Sequence, residues 1–303
     1  MLLRSLFVFF LSLNVHAYNQ IYVFGDSLSD QGNACPQSRY KKRYLCHLYP
    51  GGKFTEGLLW IEHLSQHLNL ELKPSHLGGN NYAFGGATSD WGTETTPGLL
   101  QQIQQYLRQT DSKIIPGSLY VIWIGGNDLK NRLLDFSLIS YAETFFLEDV
   151  LHNVSNAVGQ LARAGAKNFL IPNLVPLHRV PVSQKILSVV GNIFSGMWTW
   201  MSEKDNDENE ISSMTQKMLS FQVSSYINEY NWKLSLRLKK LEERYSIQIF
   251  HHDTLHFLET VYKYPALYGV EDLDDFFYFD GFHPSAKGHK VLGDEFISFL
   301  PSL

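Results

Sequence analysis

The chain has 303 residues, of which 44% are hydrophobic and 18% are charged, and its formal net charge at pH 7 is −5. This composition excludes an intrinsically disordered chain and a small disulfide scaffold, because it supplies enough apolar surface for a large core. The acidic balance offers no basic surface, so we expect no nucleic-acid partner.

Residues 1–17 have the pattern of a secretory signal peptide. Arg4 supplies one positive charge, residues 5–13 form an apolar run, and residues 15–17 read as a small-x-small cleavage site. The run is too short to span a bilayer, and a buried N-terminal strand or helix is the alternative. We therefore expect an exported protein, either periplasmic or extracellular.

The only two cysteines, Cys35 and Cys46, lie close together in the sequence. An oxidising compartment favours a disulfide between them, which would stabilise a short loop by roughly 3 kcal/mol in the chain-entropy model. A zinc site fits poorly, because only His47 stands beside them and finger spacing is absent. We expect no metal ion.

Apolar runs typical of strands alternate with amphipathic segments typical of helices. In chain order the pattern predicts a strand at 20–25, a helix at 56–68, a strand at 81–84, a helix at 99–108, a strand at 118–125, a helix at 141–164, a strand at 168–171, a helix at 211–244, a strand at 246–250 and a helix at 285–299. No repeat or Pro/Ser-rich linker divides them, which indicates a single domain over residues 18–303.

Continuous apolar strands that alternate with helices indicate a parallel sheet covered on both faces. Five such strands suit a doubly wound, three-layer α/β/α domain with a flavodoxin-like, five-stranded parallel sheet. Sheets of this kind bind ligands beyond the carboxyl ends of their strands, so the polar residues that follow the strands are the candidates for chemistry.

An uncharged stretch interrupts the alternation. Residues 186–202 place apolar side chains at near-helical spacing, and residues 203–210 are densely charged. One interpretation is a buried helix followed by a solvated loop. The other is an amphipathic flap over the site that presents Trp, Met and Ile to lipid. Complete burial of this helix would contradict the flap interpretation. Scattered Ser, Asn, Thr and Gly make a transmembrane helix a poorer fit.

The first predicted strand leads directly into Gly25-Asp26-Ser27-Leu28-Ser29-Asp30. This order places Ser27 at the carboxyl edge of the sheet, where backbone N–H groups favour a developing oxyanion. The same residues are also ordinary turn and N-cap chemistry. Taken alone, the segment is therefore a weak signal.

Three other segments strengthen the case that the Ser27 segment is catalytic. Gly85-Gly86 ends the second strand, and paired glycines let backbone approach a ligand closely. Asn127 follows the third strand and can direct its side-chain amide at an oxyanion. Near the C-terminus, Asp280 and His283 are three apart, so that the carboxylate could orient the imidazole.

These four segments, in this order, resemble the motifs of the GDSL, or SGNH, esterases and lipases, and the resemblance covers essentially the whole mature chain. It implies the SGNH hydrolase fold and no cofactor. Ser27 would be the nucleophile, His283 the general base and Asp280 its orienting partner. The backbone N–H groups of Ser27 and Gly86, with the side chain of Asn127, would form the oxyanion hole.

Within the family the motifs resemble most those of secreted bacterial lysophospholipases A and glycerophospholipid:cholesterol acyltransferases. The resemblance implies release of fatty acids from (lyso)phospholipids through an acyl-serine intermediate, with acyl transfer to an alcohol such as cholesterol as a further outcome. The partners would be a lipid substrate and a membrane or micelle surface. An esterase for short-chain or carbohydrate acetyl esters and a non-catalytic lipid-binding protein on the same fold are the alternatives.

Several further polar groups have structural interpretations. Asp26 and Asp128 are interpreted as acceptors that organise loops, and His289 as a structural or surface histidine. The segment His251-His252-Asp253 lacks a third ligand at a recognisable metal spacing. The acidic residues 271–275 form either a solvated loop or a wall that meets a cationic head group such as choline.

Overall fold

The computed structural model describes residues 18–35, 47–134, 144–202 and 208–301. The predicted signal peptide and Cys46 lie outside the described residues. The export of the protein and the pairing of Cys35 with Cys46 therefore stay predictions.

The centre of the described chain is a parallel sheet that is buried on both faces. Its strands are β1 (Gln20–Gly25), β4 (Ser118–Trp123), β5 (Asn168–Pro172) and β6 (Gln248–His252), while β2 (Gly92–Thr93) and β3 (Thr96–Pro97) form a separate short hairpin. The order in the sheet is β1-β4-β5-β6, and all neighbouring strands run parallel. The predicted α/β class with a parallel sheet is confirmed.

The prediction of a fifth strand at 81–84 is wrong in detail, because the described sheet has four strands. The segment lies beside β1, where Tyr82 N–H donates to Val23 O and Val23 N–H donates to Asn80 O, but only one isolated parallel bridge results. Only half of the next rung forms, because Phe84 N–H donates to Gly25 O at 3.0 Å whereas Gly25 N–H donates to the Gln102 side chain. A side chain of a neighbouring helix thus ends the ladder.

Nine helices flank the sheet in the described part of the chain. They are α1 (Trp60–His67), α2 (Leu99–Gln109), α3 (Gly126–Leu134), α4 (Thr144–Ala164), α5 (Pro181–Ser202), α6 (Glu208–Tyr245), α7 (Thr254–Lys263), α8 (Leu273–Phe276) and α9 (Ala286–Phe299). The first predicted helix begins late, at Trp60, where the Glu62 carboxylate accepts the N–H of Leu59 and so satisfies an orphan donor at the helix start.

Two aromatic clusters hold the helices to opposite faces of the sheet. Trp123 of β4 packs on Trp60 of α1 and Phe296 of α9, with ring centroids 5.2 and 5.7 Å away. Tyr120, three residues earlier on the same strand, points to the other face and its hydroxyl pairs with that of Tyr106 of α2 at 2.8 Å. The three layers follow from this alternation.

Helices α5 and α6 pack against each other, and we call residues 181–202 and 208–245 the helical hairpin. The uncharged segment lies within α5, where Leu187 and Val190 are buried but Val189 and Ile193 are more than half exposed. The described part of this helix is therefore only partly buried, and the flap stays a prediction. No helix in the described ranges is long and apolar enough to cross a membrane.

Candidate active site

Ser27, His283 and Asp280 form a continuous hydrogen-bonded chain at the carboxyl edge of the sheet. The Ser27 hydroxyl lies 2.7 Å from Nε2 of His283, and Nδ1 of His283 lies 2.5 Å from Oδ2 of Asp280. A carboxylate only accepts, so Nδ1 carries the proton and Nε2 is left to accept from the serine hydroxyl. The serine is buried, as is the imidazole.

The turn that presents Ser27 requires a glycine. Gly25 ends β1 with φ of 156°, and a Cβ there would lie 2.3 Å from the carbonyl oxygen of Trp123. The Gln102 side chain donates to Gly25 O and accepts from Gly25 N–H, both at 2.9 Å. This two-way clamp fixes the backbone immediately before the nucleophile.

Asp280 is held by both of its carboxylate oxygens. Oδ1 accepts the N–H groups of Phe282 and His283 at 2.8 and 2.9 Å, and Oδ2 accepts the Tyr49 hydroxyl at 2.7 Å as well as the imidazole. Burial opposes ionisation, but the hydrogen bond and charge of His283, together with the two N–H donors, outweigh it and lower the pKa of Asp280 to about 2. The carboxylate is therefore ionised at neutral pH.

Aromatic rings surround the imidazole. Phe54 and Phe282 lie with ring centroids 5.0 Å from that of His283, and Tyr49 lies 6.2 Å away. These rings pack around His283, whose side chain is buried. Such packing strengthens the electrostatic contacts of the triad by lowering the local dielectric.

Asn127 lines the same narrow cavity as Ser27, and Gly86 lies in the loop that Asn127 contacts. Asn127 is buried at the start of α3, and its Nδ2 donates one hydrogen bond to Ala87 O at 3.0 Å. Gly86 precedes that alanine with φ of 85°, a left-handed conformation that suits glycine. The N–H of Gly85 donates to Asp30 Oδ2 at 2.8 Å, which favours Gly86 as the second donor.

Asp30 connects the nucleophile segment to this glycine pair. Its carboxylate accepts the N–H groups of Gly32, Asn33 and Ala34 in addition to that of Gly85. The Asn33 amide in turn donates to the carbonyl groups of Asn81 and Ala83. Hydrogen-bond donors and acceptors of the two loops thus pair with each other, and this pairing fixes the arrangement of the loops.

Two apolar cavities adjoin the triad and share Phe282. The narrower one, about 40 Å³, is lined by Ser27 and Asn127 together with residues such as Leu174, Leu177 and Val180. The larger one, about 330 Å³, lies against the helical hairpin and is lined by Lys130, His178, Val182, Ser183, Ile186, Leu187, Val223, Asp280 and Phe282. Apolar walls with a few polar groups are typical of ligand pockets.

The remaining motif residues have local roles. Asp26 accepts the N–H of Leu28, and Asp128 accepts the N–H and hydroxyl of Ser89, as loop-organising acceptors would. His289 is buried and its Nδ1 accepts the N–H of Trp60, so it is structural and not at the surface.

The other clusters are also accounted for within the fold. His251 pairs with Ile171 O, and His252 pairs with Thr254 and Glu295. The described residues contain no group of three or more metal-ligating side chains. In the acidic segment, Asp272 caps the short helix α8 and Asp275 pairs with Lys287, so the segment forms a capped helical turn and not the predicted loop. The contact with a cationic head group stays a prediction.

Two residues of the site were not predicted. Tyr49 lies in a loop 231 positions before its partner Asp280, and no periodicity marks it. Lys130 donates to Asn127 Oδ1 at 2.7 Å, and its spacing of three residues on a helix that begins at Gly126 could have revealed it.

A parallel α/β sheet with a serine, an imidazole and a carboxylate at its carboxyl edge defines a serine-hydrolase type of site. Residues 21–296 match the family described as GDSL-like Lipase/Acylhydrolase, and the chain belongs to this family. The predicted family resemblance and the GDSL/SGNH hydrolase fold are confirmed.

Known relatives match the chain over different lengths. Lipase 1 of Photorhabdus luminescens is 34% identical over 179 residues, which are 59% of this chain and 26% of that protein. The phosphatidylcholine-sterol acyltransferase of Aeromonas hydrophila is 28% identical over 190 residues, 58% of this chain and 51% of the relative. The chain thus spans a quarter to a half of these two bacterial relatives.

Two further similarities cover more of the chain. A GDSL esterase/lipase of Arabidopsis thaliana is 24% identical over 319 residues, 93% of this chain and 89% of the relative. A solved acetylxylan esterase of Geobacillus stearothermophilus aligns over 94% of this chain and 98% of its own, with 15% identity and a TM-score of 0.40.

Proposed function

We propose that the protein is a serine ester hydrolase that releases fatty acids from (lyso)phospholipids through an acyl-serine intermediate. The observation that carries this proposal is the hydrogen-bonded chain from Ser27 through His283 to Asp280, beside an apolar cavity that Ser27 itself lines. Membership of the GDSL-like lipase/acylhydrolase family supports the ester-hydrolase class.

The reaction follows from the polarity of each contact. Nε2 of His283 takes the proton of Ser27 as its oxygen attacks the ester carbonyl, and Asp280 stabilises the resulting imidazolium. The N–H groups of Ser27 and Gly86 and the amide of Asn127 stabilise the tetrahedral oxyanion. The imidazolium then protonates the departing alkoxide, and the acyl group stays on Ser27 until water attacks with His283 again acting as base.

The choice of a lipid substrate rests on two apolar features. The cavity of about 330 Å³ between the hairpin and Phe282 has space and apolar walls for an acyl chain. The hairpin also exposes Met214, Met218 and Phe221, at 63%, 64% and 75% of their surface, at positions that share one face of α6. Exposed apolar surface of this kind is typical of sites that bind lipid or protein.

We further propose that the protein is exported and acts at a membrane or micelle surface. The signal-peptide pattern of residues 1–17 supports export. An acyl-serine intermediate also reacts with any alcohol that reaches it before water does, so transfer to an alcohol such as cholesterol is part of the proposal. The similarity to a phosphatidylcholine-sterol acyltransferase supports this second outcome.

The test is fatty-acid release from lysophosphatidylcholine micelles that contain cholesterol. The chain from residue 18 onward is compared with its Ser27→Ala variant and with Ser235→Ala, a matched change on the outer surface of α6. We expect release by the first and third proteins only, and cholesteryl ester wherever transfer occurs.

The other outcomes distinguish the alternatives. Serine-dependent cleavage of p-nitrophenyl acetate without release from micelles would move the substrate to short-chain or carbohydrate acetyl esters. Absence of any Ser27-dependent cleavage, with lipid binding retained, would contradict the enzyme and favour a binding protein.

A further inference from the structure

Lys130 lies on α3, three residues after Asn127, and its ammonium is directed at the amide oxygen of Asn127. Nζ donates to Asn127 Oδ1 at 2.7 Å and lies 5.4 Å from the ring centroid of Phe282. The side chain lines the larger cavity beside the triad. A lysine in this position does not take part in the proton transfers described above.

The contacts of the Asn127 amide fix its orientation without ambiguity. A lysine ammonium has no acceptor, so the atom that faces Lys130 must be the amide oxygen. The carbonyl of Ala87 has no donor, so the atom that faces it must be the amide nitrogen. The Asn127 side chain is thus held between a donor and an acceptor, and it cannot rotate by half a turn without losing both hydrogen bonds.

The charge of Lys130 also favours a role of the Asn127 amide as a hydrogen-bond donor. A cation at the amide oxygen draws electron density from the N–H groups and makes them stronger donors, because hydrogen bonds in a chain polarise one another. Burial lowers the pKa of Lys130, and the nearby Asp26 carboxylate opposes this shift.

We propose that Lys130 is a positioning residue of the oxyanion hole, which fixes and polarises the side-chain amide of Asn127. The proposal rests on the proposed function, in which Asn127 binds the oxyanion. A role for Lys130 in binding an anionic head group is the competing account. It predicts an effect on KM that does not depend on Asn127.

The test is a double-mutant cycle on a soluble ester, p-nitrophenyl butyrate. We expect Lys130→Met to lower kcat about tenfold with KM unchanged within twofold, which is less than the ~10²–10³ cost of losing the donor itself in Asn127→Ala. In the Asn127→Ala background, Lys130→Met should cost less than twofold further. Lys130→Arg, which keeps a donor, should restore most of the activity, and Lys113→Met, at an exposed lysine, is the control.

Equal losses in both backgrounds would overturn the proposal, as would a rise in KM with kcat unchanged. A measurement without substrate keeps the proposal independent of activity. The side-chain amide signals of Asn127 in a ¹⁵N spectrum are those that vanish in Asn127→Ala. In Lys130→Met they should change position, and in Lys113→Met they should not.

If the unmodified protein shows no Ser27-dependent hydrolysis, the proposed function fails, and the amide signals alone test whether Lys130 positions the Asn127 amide. Unchanged signals in Lys130→Met would overturn this positioning role. As a control for the fold, the thermal unfolding midpoint of each variant should lie within a few degrees of that of the unmodified protein.

Discussion

The catalytic edge of the sheet and the outer face of the helical hairpin are built in opposite ways. At the edge, polar side chains such as Asp280 and Asn127 are buried or half-buried, and their contacts leave each with one orientation. On the hairpin, large apolar side chains such as Met218 and Phe221 face solvent. The first region has the fixed geometry that chemistry needs, while the second keeps surface that packing within the chain leaves uncovered.

The two regions meet at the catalytic loop. Val182, at the start of α5, donates its N–H to the carbonyl of Gly281 at 3.0 Å, between the two triad residues of that loop. The larger cavity lies along the same junction. Changes at the edge should therefore affect every substrate equally, whereas changes on the hairpin should affect only substrates that are presented at a lipid surface.

The largest expected effect lies at the edge. Asn127→Ala removes the donor that we propose for the oxyanion and should lower kcat by ~10²–10³ on p-nitrophenyl butyrate and on lysophosphatidylcholine alike. Initial rates on both substrates measure this, with Asn228→Ala on the outside of α6 as the matched control. A loss confined to the lipid substrate would contradict the separation of the two regions.

The hairpin should show the reverse pattern. Phe221→Ser removes an apolar side chain worth roughly 1.5–3 kcal/mol on burial, so binding to phosphatidylcholine vesicles should weaken about tenfold or more. Turnover of p-nitrophenyl butyrate should stay within twofold. Leu267→Ser, at a residue 79% exposed outside the hairpin, is the control. Equal vesicle binding by the two variants would remove the hairpin as the lipid-binding face.

A smaller effect at the edge is expected from Tyr49. Tyr49→Phe removes one donor to the Asp280 carboxylate, and a hydrogen bond of roughly 1 kcal/mol corresponds to a loss of about fivefold in kcat. The loss should be the same on soluble and micellar esters, with Tyr264→Phe at an exposed tyrosine as control. No loss on either substrate would show that the peptide N–H groups and the imidazole hold Asp280 without the Tyr49 hydroxyl.

The smallest effect concerns stability. Burial raises the pKa of Asp26 from 3.8 to about 7, so the folded protein holds a proton that the unfolded chain releases. The stability from this proton is fully present below the unfolded pKa and is lost as pH rises through 7. From pH 6 to pH 8 the protein should lose about 1 kcal/mol relative to Asp26→Asn, as measured by urea unfolding.

The matched control for that measurement is Asp294→Asn, at an exposed residue that pairs with Lys290. It should follow the pH dependence of the unmodified protein. A constant difference between the protein and Asp26→Asn over this pH range would show that the Asp26 carboxylate ionises normally and that its burial carries no cost.

Much of the catalytic edge could be predicted from sequence because each of its main residues stands directly after a strand or on one tight turn. Ser27 and His283 are 256 positions apart, yet both lie in short motifs whose order alone indicates that they meet. Tyr49 could not be predicted in this way, because only the path of its loop brings it to Asp280.

The fold likewise has features that the sequence pattern predicts and one that it does not. The apolar runs of β1 and β4 identify buried strands, since continuous hydrophobic sequence suits a sheet covered on both faces. The segment at 81–84 carries a similar run, but a hydrogen bond from Gly25 N–H to the Gln102 side chain prevents a full ladder. Such a competition between a side chain and a neighbouring strand leaves no pattern in the sequence.

The central claim is that Ser27 is the nucleophile, activated by His283. Incubation with a fluorophosphonate followed by peptide mass spectrometry tests it directly, because the reagent captures an activated serine as a stable phosphonyl ester. We expect one adduct, on Ser27, that is absent in Ser27→Ala and forms far more slowly in His283→Ala. An adduct on a different residue, or equal labelling of Ser27 with and without His283, would contradict it.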